Sequence, residues 1–139
     1  MSFEKELSHL LIMEEKDNIH SERKKATAAE ITILKNRYPT LPEEYFDYLL
    51  EIGSGTILES QFKVMSNLFD FTDLGLEDVY YLPESIQFFG DNFSGDFAGF
   101  DLLQHKNEVV EFWYDSNEIY HTGKTFRQYI REKMLLFNL

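Results

Sequence analysis

The densest collection of potentially reactive groups lies in "IQFFGDNFSGDFAGFDL", Ile86 to Leu102, where three aspartates and five phenylalanines occur without one cation. Asp91, Asn92 and Asp96 offer oxygen ligands of the kind a calcium loop uses, but an EF-hand needs Gly at its sixth position and Glu at its twelfth. Those positions carry Asp96 and Leu102, so the match fails. Asp96 and Asp101 form a candidate acid/base pair for glycoside or ester hydrolysis, with roles set by unequal burial. The turn-rich setting favours a different use, in which each carboxylate accepts hydrogen bonds from nearby backbone N–H groups.

Other reactive signatures are incomplete. "GSGT" at 53–56 lacks the Lys-Ser/Thr of a phosphate loop, and Ser94 in "NFSGD" lacks the leading Gly of a nucleophile elbow. His9, His20, His105 and His121 show no i, i+4 pairing and no carboxylate at metal-site spacing, so they read as surface or turn residues. The absence of cysteine excludes disulfides, thiolate zinc sites and cysteine nucleophiles, and suits a reducing cytosol. The expectation is a protein that is not an enzyme, with no catalytic residue, no metal site and no cofactor.

Charge is more informative. The formal net charge is -12, and its distribution is uneven. Residues 1–39 hold seven acids and seven bases, and residues 105–139 hold five of each, whereas residues 40–104 hold thirteen acids against Lys63 alone. An acidic chain without a basic stripe is a poor binder of nucleic acid. A basic protein partner, in contrast, would be steered toward the central region. The solvent-directed acids of the cation-free stretch 64–105 are the candidate contacts: Asp70, Asp73, Glu77, Asp78, Glu84 and Asp91. The alternative is an acidic face that serves solubility only.

These groups must be positioned by one core. The length suits one domain, and 43% hydrophobic with 16% aromatic content is ample for it. Phe3, Leu7, Leu10 and Leu11 form a helical stripe behind a Ser2 cap, ending near Lys16. The polar run Asp17 to Lys25 leads to a capping box, Thr27 with Glu30, and a second helix with Ile31, Leu34 and Tyr38 inward. Pro39 ends it. A third helix begins at "LPEE", with Pro42 in its first turn and Leu41, Tyr45, Leu49 and Ile52 buried. Gly53 and Gly55 follow, where a helix closes in a left-handed conformation.

Beyond Thr56 the period shifts toward two. Ile57 and Leu58, then Phe62 and Val64, begin short strands, "DLGLEDVYYLP" is ambiguous between short helix and loop, and strands follow near 86–90, 97–103, 109–114 and 119–121. Phe112 and Trp113 must face opposite ways, leaving one for a partner or for a second layer of helices. Thr125 and Gln128 repeat the capping box before a closing helix whose apolar side is Phe126, Tyr129, Ile130, Met134 and Phe137. The fold class is α+β: one domain over 1–139, with an antiparallel sheet of about five to six strands flanked by N-terminal helices and a C-terminal helix. No stretch approaches the roughly 20 apolar residues that span a bilayer, and Leu10–Met13 is too short for a signal peptide. The expected location is cytoplasmic, as a monomer or a weak dimer.

The order "LPEEYFDYLLEIGSG", "SIQFFGDNFSGDFAGFDL", "EVVEFWYD", "GKTFRQYI" resembles the SUKH superfamily, which includes a yeast regulator of cell-wall synthesis and many bacterial immunity proteins of polymorphic toxin systems. The resemblance covers about residues 27–136, with 1–26 as an added helix and connection. Its motifs fall on Leu41, Pro42, Tyr45, Gly53 and Gly55; on Gly95, Asp96 and Asp101; on Trp113 and Asp115; and on Phe126. "GSG" replaces the family's Asn-Gly-Gly. The resemblance implies that these residues mainly maintain the fold while partner contacts vary. It also implies an immunity protein that binds a cognate toxin with a basic catalytic domain, a nuclease, and occludes it without catalysis. The alternatives are a regulatory scaffold in cell-wall or stress signalling, and a small hydrolase using Asp96 and Asp101.

Overall fold

A computed structural model describes residues 3–59, 61–76, 79, 82–104 and 106–137. Among them are four helices, α1 (Glu4–Lys16), α2 (Ala28–Arg37), α3 (Glu43–Glu51) and α4 (Phe126–Lys133). Seven strands are β1 (Arg23–Lys24), β2 (Ser54–Ile57), β3 (Phe62–Phe69), β4 (Ile86–Asp91), β5 (Asp96–Asp101), β6 (Val110–Trp113) and β7 (Glu118–His121). The strands form one antiparallel sheet in chain order, β1 to β7.

Local chemistry sets the helix ends. The Glu30 amide donates to Thr27 Oγ1 at 3.1 Å and the Thr27 amide to Glu30 Oε1 at 2.9 Å, and Thr125 with Gln128 repeats the pattern at 3.2 and 3.0 Å. Both capping boxes are therefore present. Pro42 stands at the N-cap of α3, one residue before the first turn where it was expected. Gly53 and Gly55 have φ of 106° and 135°, and a Cβ on Gly55 would lie 2.0 Å from the Glu22 carbonyl oxygen. Glycine is required there because β1 runs against that backbone.

The sheet has two covered faces. Phe62, Val64, Phe89, Ala98 and Phe100 pack under the helices against Tyr45, Tyr48, Leu49, Phe126 and Ile130, joined by Phe3, the N-cap of α1, and by Leu10 within it. Each such aromatic or leucine contributes about 1.5–3 kcal/mol by leaving water. On the opposite face Ile86, Phe88, Val110 and Phe112 are covered by Phe71 and Leu82 from the β3–β4 connection, with the Phe71 and Phe112 rings 4.9 Å apart. A loop, rather than a second helical layer, seals that side. Residues 73–75 of "DLGLEDVYYLP" form turns; Glu77, Asp78, Tyr80 and Tyr81 lie outside the described residues.

Several expectations are corrected. The sheet has seven strands rather than five to six, the extra one being two-residue β1 in the polar run, too short to carry a period. Leu11 is exposed, and the buried stripe of α1 is instead Phe3, Glu6, Leu10 and Glu14. The helix is rotated because arginines elsewhere in the chain neutralise the two glutamates: Arg23 meets Glu14 at 2.7 Å, and Arg127 and Arg131 meet Glu6 at 3.0 and 2.6 Å. The Ser2 cap lies outside the described residues, and the Phe3 amide donates to Glu51 Oε1 at 2.9 Å. Phe137 lies beyond α4 and is exposed. His9 is half-buried within α1, its Nε2 donating to the Met134 carbonyl at 2.9 Å, so it is not a turn residue.

Candidate interaction surface

The acids singled out in the sequence separate in space. The Asp70 amide donates to Asp73 Oδ2 at 2.9 Å and the Asp73 amide to Asp70 Oδ1 at 3.2 Å, which locks the turn leaving β3. Asp70 and Glu84 line one hollow with Leu82, Pro83 and Leu103. Glu77 and Asp78, like His105, lie outside the described residues. Asp91 does not continue this group: it ends β4, whose residues Ile86 to Asp91 carry it roughly 17 Å along the strand. There it is the Cα partner of Lys63, and its Oδ1 accepts from the Phe93 amide at 2.9 Å.

The aspartates of the proposed catalytic pair occupy opposite ends of β5. Asp96 Oδ2 accepts from Asn92 Nδ2 at 3.1 Å, while Asp101 Oδ1 accepts from Ser85 Oγ at 2.7 Å and from the Leu103 amide at 3.1 Å. Both carboxylates fasten turns. Five residues of strand hold them roughly 17 Å apart along the chain, beyond the 5–9.5 Å that glycosidase carboxylates span. Among the described residues no group of three or more His, Cys, Asp or Glu is arranged to hold a metal ion.

The other motif residues divide between core and surface. Leu41, Tyr45 and Phe126 are buried, and Tyr45 donates its hydroxyl hydrogen to the Met65 carbonyl. Gly95 turns with φ 94°. Trp113 and Asp115, in contrast, are exposed. Phe112 takes the buried position of its pair, which turns Trp113, 37% exposed, to the other face. Its ring stacks on Tyr120 of β7 with centroids 4.0 Å apart, a diagonal pair set by the register Glu111↔Tyr120 and Trp113↔Glu118. Trp113 Nε1 donates to Glu111 Oε1 at 3.3 Å, and Glu111 Oε2 accepts from the Tyr129 hydroxyl at 2.6 Å. Burial raises the Tyr129 pKa above its ordinary value, and the bond to Glu111 raises it further.

Because the strands alternate direction in chain order, the β2–β3, β4–β5 and β6–β7 turns meet at one end of the sheet. Leu58, Glu59, Phe93 and Asn117 in these turns hold positive φ of 49°, 66°, 65° and 54°. Such backbone is costly for residues with a Cβ, above all bulky ones, and persists where surrounding contacts impose it. The Tyr114 amide donates to the Gly95 carbonyl at 3.1 Å and ties two of the turns together. Phe93, Tyr114, Trp113 and Tyr120 are exposed here beside Asp91, Asp115 and Glu118. Rigid aromatics of this kind, rimmed by charge, are the side chains that dominate protein interfaces. Sequence reasoning missed Tyr120, Glu111 and Glu118, and the alternation at Phe112 and Trp113 was the only signal available for them.

No curated protein and no solved structure matches the chain. The model of the SMI1 / KNR4 family (SUKH-1) matches residues 25–132, from just before α2 almost to the end of α4. The seven-stranded sheet, its flanking helices and this match establish that the chain belongs to the SMI1 / KNR4 family (SUKH-1).

Proposed function

We propose that this protein is an immunity protein: it binds a cognate secreted toxin of a polymorphic toxin system in the cytoplasm of the producing cell and blocks the toxin's active domain. It performs no reaction of its own. The observation that carries the reading is membership of the SMI1 / KNR4 family. The fastening roles of Asp96 and Asp101 support binding over hydrolysis.

The contact surface is the turn end of the sheet. Trp113, Tyr120 and Phe93 anchor a dry centre, and Asp91, Asp115 and Glu118 pair with a basic cleft, such as that of a nuclease. Asp70, Asp73 and Glu84, with Glu77 and Asp78 beside them in the chain, extend the negative field that steers encounter. Affinity capture from the native cell, followed by co-expression of the captured toxin, tests the proposal. One cognate toxin, neutralised by the parent chain, is the expected result. Persistent toxicity, or capture of a housekeeping partner from unrelated strains, would overturn it, and the latter outcome would identify a regulatory scaffold.

A further inference from the structure

A cleft of about 310 Å³ opens between α2 and the strands beside it, and its charge is opposite to that of the chain as a whole. Lys24, Lys25 and Arg37 line it, all exposed, and none forms an ion pair with a described carboxylate. The acid lining it, Glu30, accepts from the Thr27 amide in its capping box and also feels the Lys24 charge, so against three cations it leaves the lining net positive. The cleft also has an apolar wall, with Leu34 and Leu68 half-buried and Ile33 of α2 69% exposed.

The backbone on the floor is equally telling. β3 pairs with β2 as far as Val64↔Gly55, and its ladder with β4 passes from Val64↔Gly90 directly to Phe69↔Phe88. Residues 65–68 are therefore an insertion in the ladder, and β2 begins at Ser54, too late in its course to flank them. Ser66, Asn67 and Leu68 present an uncovered strand edge to the cleft. An uncovered edge beside an apolar wall is the arrangement that accepts an added strand.

We propose that this cleft is a docking site for an extended acidic segment of a partner protein, which adds as a strand along Ser66 to Leu68. Its apolar side chains rest on Ile33, Leu34 and Leu68, and its carboxylates meet Lys24, Lys25 and Arg37. Complementarity of charge selects this occupant, since a basic segment would face three cations. The site is independent of the toxin-binding surface, which lies at the turn end of the sheet.

The test uses the full chain and a fluorescein-labelled peptide of alternating glutamate and valine, with the lysine–valine peptide as control. Fluorescence anisotropy at low salt should show binding of the acidic peptide alone, with amide shifts in NMR spectra concentrated at Ser66 to Leu68. The double variant Lys25→Glu/Arg37→Glu should weaken binding by about tenfold or more, and Ile33→Glu, on an exposed position, should do likewise, while Glu15→Gln, exposed on α1, leaves it unchanged. Equal binding of the lysine peptide, shifts confined to other strands, or unweakened binding by the folded cleft variants would overturn the proposal.

Discussion

Glu6→Ala is the most revealing single change, because Glu6 joins the N-terminal helix, outside the matched stretch 25–132, to the last helix within it. The side chain is 1% exposed, and its Oε2 accepts from Arg127 Nη1 at 3.0 Å and from Arg131 Nε at 2.6 Å. Arg127 also lies over the Phe3 ring, 4.1 Å from its centroid. Removing one partner of a fully buried ion pair costs about 3–5 kcal/mol, whereas an exposed pair contributes about 0–1. Here the arginine side chains retain 18% and 28% exposure, and Arg127 keeps Glu44 at 3.8 Å, so water and a second carboxylate offset part of the loss. The expected destabilisation is about 2–3 kcal/mol, lowering the melting temperature by roughly 6–12 °C. Urea denaturation followed by circular dichroism measures it, with exposed Glu15→Ala on the same helix as control, expected within about 0.5 kcal/mol of the parent. A Glu6→Ala loss no larger than the control's would show that Phe3 and Leu10 alone hold α1, refuting the ion-cluster account.

Other outcomes follow from the same structure. Gly55→Ala should cost about 2–4 kcal/mol, since its φ is 135° and the new Cβ meets the Glu22 carbonyl, whereas Gly123→Ala, at φ 69° in open space, should cost about 1–2; denaturant midpoints compare them. Burial raises the pKa of Tyr45, Tyr48 and Tyr129, so the unfolded chain loses these protons first as pH rises above the ordinary value of 10.0. Stability should fall from there with a slope approaching about 4 kcal/mol per pH unit, three protons at about 1.4 each, and phenolate absorbance of these residues should appear only with unfolding. Burial acts to raise the Glu14 pKa, but hydrogen bonds from Arg23 and Ser21 and the Arg23 charge outweigh it and leave it below the ordinary value of 4.5. The unfolded chain then binds this proton first, so the contribution present above pH 4.5 is lost as pH falls below it; Arg23→Met should flatten that part of the acid stability profile.

What could be read from the sequence was whatever is encoded locally. Thr27 with Glu30, Thr125 with Gln128, and Gly53 closing α3 act within a few residues and appear where the pattern placed them, whereas Gly55 lies within β2 and is demanded by the distant backbone at Glu22. The alternation through Phe88, Phe97 and Phe112 likewise marked the strands of the meander. What escaped depends on distant partners. The inward turn of Glu6 rests on Arg127 and Arg131, separated from it by 121 and 125 residues, and the helical rule that sends acids outward chose Leu11 instead. The acidic run from Asp70 to Asp91 looked continuous because adjacency in the chain was the only distance available. β4 carries Asp91 to the far end of the sheet, beside Lys63, and the stack of Trp113 on Tyr120 needed the β6–β7 register to be seen.

The central claim is that the chain acts by occlusion, through the aromatic and acidic turn end of its sheet. Calorimetric titration of the cognate toxin's catalytic domain with the parent and with Trp113→Ala/Tyr120→Ala tests it most directly. The parent should form a one-to-one complex with Kd near nanomolar, about 12 kcal/mol, and the double variant, still folded, should lose at least about a hundredfold in affinity. Undiminished affinity in that variant, or no complex at all with a toxin the chain still neutralises in cells, would contradict the account.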